Sequence, residues 1–537
     1  MIRITNLSLP LNAEDPEIRQ TAARALGRDV SSVLSAKITR WSIDARDKRD
    51  VHAVVTLDVE GTWSESDENL MLRGDGRVRR VNPGEAKRIA IVTDDRPKPA
   101  IRPLIIGAGP AGLFAAYVLA RAGWEPVVWE RGKPVDERAK DVALFQAGGA
   151  INPDSNVQFG EGGAGTFSDG KLTTGIKDPH RQDVLETFVE CGAPEEILVL
   201  SKPHIGTDLL PGVVKRLRGR IVEMGGTFSF QTKLTGVQTR NGAVINARGL
   251  AAASGSDPNI NIRADRILLA IGHSARDTLQ MLQDAGILLQ PKPFAVGVRI
   301  EHSQAWLNRA QYGAYSSHPG LGAADYKLAT HLPSGVDVYT FCMCPGGTVV
   351  AAASEPGGVV LNGMSAYSRG GVNANAGLLV GLAEDRFGDK PLDGLSLQRG
   401  LEEAAFRAGG GNFRAPAQRV EDFLRKRPSR GPGLVAPTYP LGVEWCDLDG
   451  CLPAYLTEPL RDGLRRMDRM LPGFAQPDAV LTAVESRSSS PVRIVRDATY
   501  QASARGLYVA GEGAGYAGGI VSAAVDGMRA AEAMLLQ

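Results

Sequence analysis

The sequence has few of the residues on which disulfide frameworks and zinc sites depend. It contains five cysteines and seven histidines among 537 residues, and an odd number of cysteines without a repeated spacing does not predict a set of disulfides. We therefore expect reduced thiols and a cytoplasmic location. The formal net charge is only +1, so no overall field favours nucleic acid or an anionic membrane as a partner.

Long apolar runs are also missing. No stretch reaches the roughly 20 residues that a membrane-spanning helix requires, and residues 1–10 alternate like a strand instead of forming a signal peptide. The length predicts two or three domains. The sequence thus predicts a multidomain protein with neither a membrane partner nor a metal site, and it leaves the oligomeric state open.

Glycine, in contrast, is abundant, and its 63 residues lie in turn motifs. The most informative motif is Gly107-Ala-Gly-Pro-Ala-Gly112, which follows the apolar run 104–106 and precedes a helix-like run. A second apolar run, 126–129, then ends at Glu130. This order of strand, glycine turn, helix, strand and acidic residue is typical of a dinucleotide-binding βαβ unit.

Each part of this motif has an expected task. Gly107 permits the tight turn, Gly109 lets a pyrophosphate approach the backbone, and Gly112 lets the helix lie close to the strand. The start of the helix offers free N–H groups to the anion. Glu130 accepts a hydrogen bond from a ribose hydroxyl.

The end of the chain indicates which dinucleotide is bound. Residues 506–513 form an apolar run that leads into Gly511 and Glu512, and the segment 515–519 then opens a helix at Ile520. In flavoproteins of the glutathione-reductase type, a late strand returns beside the first and its acidic residue binds a ribitol hydroxyl. The next helix directs its positive N-terminus at the isoalloxazine ring. An NAD domain has no need of such a distant partner motif, so we predict FAD.

Two further segments are expected to approach the same cofactor: a second glycine-rich loop at 160–165, and the turn that follows the apolar run 265–270. No second complete fingerprint occurs in the middle of the chain, so NAD(P)H is expected at most as a transient partner. The predicted cofactor-binding residues are Gly107, Gly109, Pro110, Ala111, Gly112, Glu130, Arg131, Gly163, Ala164, Gly165, Thr166, Gly272, Gly511, Glu512, Gly518, Gly519 and Ile520.

The predicted fold class is α/β. A Rossmann-like FAD-binding domain of three layers, with a parallel sheet and a β-meander, is expected to be discontinuous, over residues 101–282 and 480–537. A mixed α+β substrate domain is inserted at 283–479. Residues 1–92 form a small α+β domain of their own, followed by a linker at 93–102.

Several long motifs resemble those of a bacterial family of uncharacterised FAD-dependent dehydrogenases. The segments that carry the resemblance are 42–46, 155–172, 204–208, 341–347, 362–365, 485–493 and 511–520. One departure is Ser486, where a threonine is expected. The resemblance spans nearly the whole chain, and it implies a Rossmann-type fold and a bound FAD without implying a substrate.

Lys171 and the cysteines are candidates for chemistry beside the flavin. Lys171 follows the second glycine loop, and it is either a cation that stabilises reduced flavin or a surface charge after a turn. Cys342 and Cys344 are two residues apart, which on a strand places both side chains on one face. They are candidates for an electron relay, for small buried thiols, or for a four-thiolate site together with Cys446 and Cys451.

Charged residues near the C-terminus form a second group of candidates. Glu485, Arg487 and Arg493 lie in a stretch of small residues, and buried charges need partners. An arginine there either binds a substrate carboxylate or belongs to an ion-pair network at the domain junction. His204 and His273 are candidate acids or bases near the flavin, although a structural role is the simpler interpretation.

These features together predict a FAD-dependent oxidoreductase. It would transfer hydride between non-covalently bound FAD and a small organic substrate seated between the FAD domain and the insertion. The alternative is an RNA-associated flavoprotein whose N-terminal domain binds nucleic acid through Arg40, Arg46, Lys48 and Arg49. The near-neutral charge and the lack of an aromatic and basic platform make nucleic acid the less favoured partner.

Overall fold

The computed structural model describes residues 1–73, 76–81, 98–252 and 258–537, and its helices and strands are numbered below in chain order. The expected domain boundary at residue 92 and the linker residues 93–97 lie outside the described residues. Every helix in the described part of the chain is too short or too polar to span a bilayer.

The N-terminal unit is a small α+β structure. Its elements are β1 (Ile2–Leu9), α1 (Asp15–Leu26), β2 (Val33–Asp44), β3 (His52–Gly61), α2 (Glu65–Met71) and β4 (Val78–Arg80). The strands form an antiparallel sheet of order β2-β3-β1-β4. Helix α1 buries Ile18, Ala22 and Leu26, whose spacing of four places them on one helix face in the core that α1 forms with the sheet.

The edge strand β2 attaches this unit to the rest of the chain. The backbone N–H of Trp41 donates to the carbonyl of Val199, and the carbonyl of Trp41 accepts from the N–H of Ser201, both at 2.8 Å. The small sheet is thereby extended by one short segment of the following domain.

The basic cluster of the N-terminal unit is balanced by carboxylates. Arg46 pairs with Asp44, and Arg49 pairs with Asp47. Two of the four charges that suggested an RNA-binding surface are therefore matched within the same turn.

The second unit is built on a parallel sheet. Its elements before the insertion are β5 (Leu104–Ile106), α3 (Pro110–Arg121), β6 (Val127–Trp129), α4 (Val135–Gln146), α5 (His180–Glu190), α6 (Leu210–Glu223), β7 (Thr227–Ser229), β8 (Thr232–Arg240), β9 (Ala243–Ala251), β10 (Asn259–Arg263), β11 (Ile267–Leu269), α7 (Arg276–Asp284) and β12 (Leu289–Pro291). The turn from β8 to β9 is Asn241-Gly242, with both residues at positive φ (52° and 72°). An Asn-Gly pair favours this two-residue hairpin.

The insertion is organised around a second, larger sheet. Its elements are β13 (Phe294–Ser303), α8 (Gln304–Tyr312), β14 (Ala329–His331), β15 (Asp337–Cys344), β16 (Thr348–Ala351), β17 (Leu361–Met364), β18 (Asn373–Leu382), α9 (Asp393–Ala408), β19 (Ala415–Arg419), α10 (Val420–Leu424), β20 (Val443–Trp445), α11 (Ala454–Met470) and β21 (Val480–Glu485). Seven strands pair in the order β14-β15-β18-β13-β21-β19-β20. The chain then returns through β22 (Val492–Ile494), β23 (Leu507–Val509) and α12 (Ile520–Leu535).

The parallel sheet joins the two ends of the predicted FAD domain. Its strand order is β23-β11-β5-β6-β7, and all four pairings are parallel. Strands β5, β11 and β23 are buried along their whole length, as is typical of parallel strands that are covered on both faces. Helices α3 and α12 pack on one face and the antiparallel β8–β10 on the other. The predicted α/β class with three layers is thus confirmed.

The structure corrects both expected boundaries of the insertion, because α7 continues to Asp284 and β12 pairs with β22 before the insertion begins at β13. Strand β21 pairs with β13 and β19 in the seven-stranded sheet, whereas the sequence predicts that the last piece of the FAD domain begins at residue 480. The chain returns to the FAD domain only after β21. All six residues of this strand are buried, and a short apolar strand carries no signal for the sheet that it joins.

Candidate functional site

A cavity of about 380 Å³ lies where the carboxyl ends of β5, β11 and β23 face the insertion. In open α/β sheets, ligands bind outside the carboxyl ends of the strands. Of the predicted site residues, Gly112, Thr166, Cys344 and Arg493 are not part of its wall. The wall includes Gly107, Gly109, Pro110, Ala111, Glu130, Arg131, Gly163, Ala164, Gly165, Lys171, Gly272, Cys342, Glu485, Arg487, Gly511, Glu512, Gly518, Gly519 and Ile520.

One end of the cavity is walled by the first glycine turn. Gly107 has φ 103°, and a Cβ there would lie 2.4 Å from the carbonyl oxygen of Ala270. A Cβ on Gly112 would lie 1.9 Å from the carbonyl oxygen of Gly107, so Gly112 serves the close packing of α3 and not the cavity wall. Gly109 has open space in front of it, since a Cβ there would meet only the Cα of Gly163, at 3.7 Å.

Glu130 has a structural task that its sequence position did not reveal. Its Oε2 accepts from the N–H of Ala108 at 2.8 Å, and its Oε1 accepts from the N–H groups of Gly132 and Gly160 at 2.9 and 3.0 Å. The carboxylate therefore ties the two glycine loops together. Because a carboxylate has about four acceptor sites, it keeps capacity for a ribose hydroxyl in the cavity.

The second glycine loop lies against the first. Gly163 has φ 65°, and a Cβ there would lie 3.1 Å from the Cα of Gly109. Ala164 and Gly165 follow in the cavity wall, whereas Thr166 is buried behind it. The resulting surface is mostly backbone, as close approach by an anionic or planar group requires.

The C-terminal segment closes the cavity with an acidic side chain and a helix N-terminus. Helix α12 begins at Ile520 with Gly519 as its N-cap. Burial raises the pKa of Glu512 to about 8. The Oε1 atom of Glu512 is buried and has no hydrogen-bond partner in the protein, although Glu512 lines the cavity. Buried polar atoms are rarely left unsatisfied, so this atom fits a ligand hydroxyl.

The residues present therefore fit FAD. Backbone N–H groups at the start of α3 suit a pyrophosphate, the glycine walls leave room for it, and Glu512 presents an unsatisfied acceptor where a ribitol hydroxyl is expected.

At the insertion end, the wall consists of ionisable side chains. Lys171 Nζ lies 3.0 Å from Asp169 Oδ2, and Arg369 donates to both oxygens of the same carboxylate, at 3.0 and 2.6 Å. Burial opposes the charged form of Lys171, but the negative charge of the neighbouring thiols and of Asp169 outweighs it and raises the pKa of Lys171. Lys171 is thus a fixed cation in the wall of the cavity.

Glu485 is the second ionisable residue at this end. It is 3% exposed, and its Oε2 accepts from Arg299 Nη1 at 2.8 Å. Burial raises the pKa of Glu485 to about 7 against the opposing charge of Arg299. A carboxyl group with this pKa both gives and takes protons near neutral pH.

The two thiols do not follow regular strand alternation. The register of β15 against β18 shifts between Phe341 and Cys344, and Cys342 has φ 43°. Cys342 consequently lines the cavity while Cys344 is fully buried. The bulge departs from the regular strand that the sequence predicts, but the two thiol side chains still lie beside each other.

Arg487 belongs to a buried ion-pair cluster. Its Nε and Nη2 donate to the two oxygens of Glu402 at 2.9 and 2.8 Å, and its Nη1 donates to Ser354 Oγ at 2.6 Å. Arg276 also pairs with Glu402, at 2.7 Å. Since Arg276 lies on α7 and Glu402 on α9, the cluster fixes the junction between the FAD domain and the insertion. This geometry corrects the substrate-anchor interpretation of Arg487.

Arg493 also fails to reach the site. It lies on β22 outside the cavity wall, its guanidinium stands 5.3 Å from the centre of the Tyr516 ring, and its buried Nε has no hydrogen-bond partner. We therefore do not retain Arg493 as a substrate-binding candidate.

The histidine candidates take different positions. His204 Nε2 lies 2.9 Å from the carbonyl oxygen of Tyr367, and its ring stacks on that tyrosine, away from the cavity wall. His273 lines the cavity, but burial lowers its pKa to about 3, so the ring is neutral at physiological pH.

The four-thiolate alternative is not formed. Cys446 and Cys451 pack in the core of the insertion. In the described part of the chain, no group of three or more His, Cys, Asp or Glu side chains is arranged to hold a metal ion.

Sequence reasoning missed the residues that hold the insertion end in place. Arg299 is completely buried and Glu402 almost completely. Arg299 pairs with Glu485, 186 positions away in the chain, and Glu402 pairs with Arg487, 85 positions away. One signal was available for Arg299, which is a charge in the middle of the apolar strand β13 and therefore requires a partner.

Two known families match parts of this chain. A family described as FAD-dependent protein, C-terminal domain-like, matches residues 293–488, which cover the insertion from β13 to β21. A domain of unknown function matches residues 1–60.

Among solved structures, the likeness is distant. A variant of E. coli quinol fumarate reductase FrdA gives a TM-score of 0.36 at 12% identity, over 81% of this chain and 69% of that chain. A geranylgeranyl bacteriochlorophyll reductase-like protein of Thermoplasma acidophilum gives 0.36 at 13% identity, over 81% and 78%. The assignment of the fold therefore depends on the sheet topology described above.

A full-length relative gives the family. A protein of Clostridium beijerinckii, described as uncharacterised, is 43% identical over 540 residues, which are 99% of this chain and 98% of the relative. With this match along the whole chain and the FAD-dependent C-terminal domain in place, the chain belongs to a family of FAD-dependent proteins, and its cofactor is FAD.

Proposed function

We propose that this chain is a FAD-dependent oxidoreductase of the dehydrogenase type, which transfers hydride between its flavin and a small organic substrate. The observation that carries the proposal is the continuity of one cavity between a backbone-lined end and an end lined by ionisable side chains. FAD, when bound, supplies the hydride chemistry. The chain itself binds, orients and exchanges protons.

The backbone-lined end would hold the cofactor. The turn at 107–112 and the N-terminus of α3 suit the pyrophosphate, and Glu130 would accept from a ribose hydroxyl. Glu512 offers the unsatisfied acceptor Oε1, and α12 directs its partial positive charge to the same region.

The insertion end would hold the substrate and its protons. Glu485, whose pKa burial raises to about 7, is suited to general acid or base catalysis. Lys171 is a cation in the wall of the same cavity, so a substrate oxygen that gains negative charge near it would be stabilised. Both side chains are held by partners, Arg299 for Glu485 and Asp169 for Lys171.

We also propose the source of electrons for the flavin and the cellular compartment of the protein. Since no second dinucleotide fingerprint occurs, we expect nicotinamide to meet the cavity only transiently, or the substrate itself to supply the electrons.

All five cysteines are free thiols, as expected in the cytoplasm. The RNA alternative gains no observation, because two of the four basic residues that suggested it, Arg46 and Arg49, are paired with aspartates.

An anaerobic screen tests this proposal. Purified protein carrying FAD is mixed with NADH, NADPH and sets of hydroxy acids, amines and saturated acyl compounds, and loss of the visible flavin absorption is followed. We expect one class to reduce the flavin in a saturable manner. Protein that retains no FAD, or whose flavin only dithionite reduces, would contradict the proposal.

A further inference from the structure

Two thiols at the insertion end of the cavity differ from the other cysteines. Cys342 is half-buried in the cavity wall, with Cys344 fully buried nearby. Cys191, Cys446 and Cys451 lie in or against apolar cores. Burial raises the pKa of all three of these thiols, to about 11 for Cys446 and about 12 for Cys451, so they are protonated and inert at neutral pH.

The backbone at Cys342 is unusual for a non-glycine residue. Its φ of 43° lies in the left-handed region, and the bulge in β15 interrupts pairing with β18 at this point. The guanidinium of Arg299 donates to the carbonyl oxygen of Cys342 at 2.8 Å. Strained backbone that is fixed by a neighbouring group is characteristic of functional sites, and here it accompanies a thiol that lines the cavity.

Positive charge and a hydrogen-bond donor surround this thiol. Cys344 Sγ also donates to the carbonyl oxygen of Cys342, at 3.3 Å. Hydrogen bonding from Cys344 holds the pKa of Cys342 well below the usual thiol value despite its burial, and the charges of Lys171 and Arg299 act in the same direction.

Three carboxyl groups also face this region, and each is compensated. Asp169 lies between the cations Lys171 and Arg369. Glu485 is paired with Arg299. Burial raises the pKa of Glu485 to about 7 and that of Glu512 to about 8, so neither carries a full negative charge at neutral pH. The surroundings of Cys342 therefore favour an anion.

We propose that Cys342 is the nucleophile of this cavity, with Cys344 as its hydrogen-bond donor and Lys171 as its counter-ion, and that it bonds covalently to an electrophilic carbon of the ligand. The fitting ligand class is a carbon–carbon double bond conjugated to a carbonyl group. The sulfur's electron pair forms the S–C bond at the β carbon, the carbon–carbon π pair becomes a double bond between the α carbon and the carbonyl carbon, and the carbonyl π pair moves onto the oxygen. The ammonium of Lys171 then neutralises or protonates that oxygen. The ligand class rests on the proposed function, whereas the reactivity of Cys342 is a property of the chain itself.

Site-resolved alkylation tests the nucleophile. The full chain, with and without FAD, is treated with iodoacetamide between pH 5 and 9, quenched at intervals and analysed by peptide mass spectrometry. At pH 6.5 we expect Cys342 in the flavin-free chain to react at least about tenfold faster than Cys446, because its larger thiolate fraction outweighs its lower intrinsic nucleophilicity. Equal rates at the two cysteines would overturn the proposal. Protection of Cys342 by FAD would place the thiol beside the cofactor.

Matched variants separate the hydrogen-bond donor from simple packing. Cys344→Ser keeps a donor and Cys344→Ala removes it, so the pH midpoint of Cys342 labelling should rise in the alanine variant and stay closer to wild type in the serine variant. Lys171→Gln should also raise the midpoint. A midpoint that is unchanged in both Cys344→Ala and Lys171→Gln would show that neither residue stabilises the anion.

The ligand class has its own probe, 2-cyclohexenone. We expect a mass adduct on Cys342, formed with saturable kinetics and absent in Cys342→Ser. Fast alkylation without this adduct would overturn the ligand class and leave the nucleophile standing. A failure of the proposed function, in contrast, would appear as an absence of flavin uptake or substrate-driven reduction, which neither labelling assay measures.

Discussion

The two ends of the cavity are built in opposite ways. At the dinucleotide end, Gly107, Gly109 and Gly163 present backbone, and the close approaches are steric ones between main-chain atoms. At the insertion end, the side chain of Glu485 and the backbone of Cys342 are both held by Arg299, which lies far from each of them in the chain. The first end is specified by local geometry and the second by buried charges, so substitutions at the two ends should have different effects on binding, stability and reaction rate.

The largest effect should come from breaking the charge cluster at the junction. Glu402→Gln leaves Arg276 and Arg487 without their shared carboxylate, which should lower the free energy of unfolding by about 3 kcal/mol or more. Burial opposes the charged form of Glu402, but the charge of Arg487 lowers the pKa of Glu402 to about 2. The Glu402 carboxylate therefore stabilises the fold at neutral pH, and this stabilisation is lost as the pH falls from the pKa of the unfolded chain towards 2. Urea unfolding of the flavin-free chain measures the loss. The exposed neighbour Glu403→Gln is the control, and equal stability of the two variants would contradict the cluster's role.

At the dinucleotide end, the next largest effect should concern binding and not stability. Gly109→Val places a side chain in the open space of the cavity, and we expect FAD affinity to fall at least about 100-fold, or roughly 2.7 kcal/mol. The backbone at Gly109 has φ −76°, so the valine introduces no strain of the left-handed kind. Purified variant should be colourless, with nearly unchanged unfolding of the flavin-free chain.

Gly112→Ala is the matched counterpart. Its Cβ would meet the carbonyl oxygen of Gly107 at 1.9 Å, so this smaller substitution should destabilise the fold itself. If Gly109→Val unfolds more readily than Gly112→Ala, or remains yellow, the assignment of the two glycines is wrong.

A smaller effect is expected for the proton-exchanging carboxyl at the insertion end. Glu485→Gln should slow substrate-driven reduction of the flavin by about tenfold or more. The change of this rate near pH 7, which we expect for wild type, should disappear from the pH–rate profile. Stopped-flow measurement across pH 5.5–8.5 provides the profile. Glu384 is exposed on the same domain, so Glu384→Gln should leave the pH–rate profile unchanged. If Glu485→Gln keeps the change of rate near pH 7, Glu485 has no part in the reaction.

The smallest predicted effect concerns Glu512. Because its folded pKa is raised to about 8, the folded chain binds more protons than the unfolded chain between about pH 4.5 and 8, and stability falls as pH rises through that window. Glu512→Gln should lessen this fall in the flavin-free chain, leaving the part that Glu485 contributes below about pH 7, and should weaken FAD binding about threefold to tenfold. A flat wild-type stability profile over that window would contradict the burial of Glu512.

The two ends also differ in how far the sequence revealed them. The roles of the glycine turn at 107–112 and of Glu512 at one cofactor site were predictable, because the function of such motifs follows from the order of their residues along the chain. Arg299 and Glu402 were not, because their partners lie far away in the chain and only the packed sheet brings them together. The bulge at Cys342 likewise has no local signal, since the sequence of β15 is that of an ordinary strand.

The most direct test of the account is hydrogen–deuterium exchange during a titration of the flavin-free chain with FAD. We expect one equivalent of FAD to protect the segments 107–112 and 511–520 together, with both protection curves saturating at the same FAD concentration. Protection of only one segment, or no uptake of FAD, would contradict the claim that both ends of the FAD domain enclose a single cofactor.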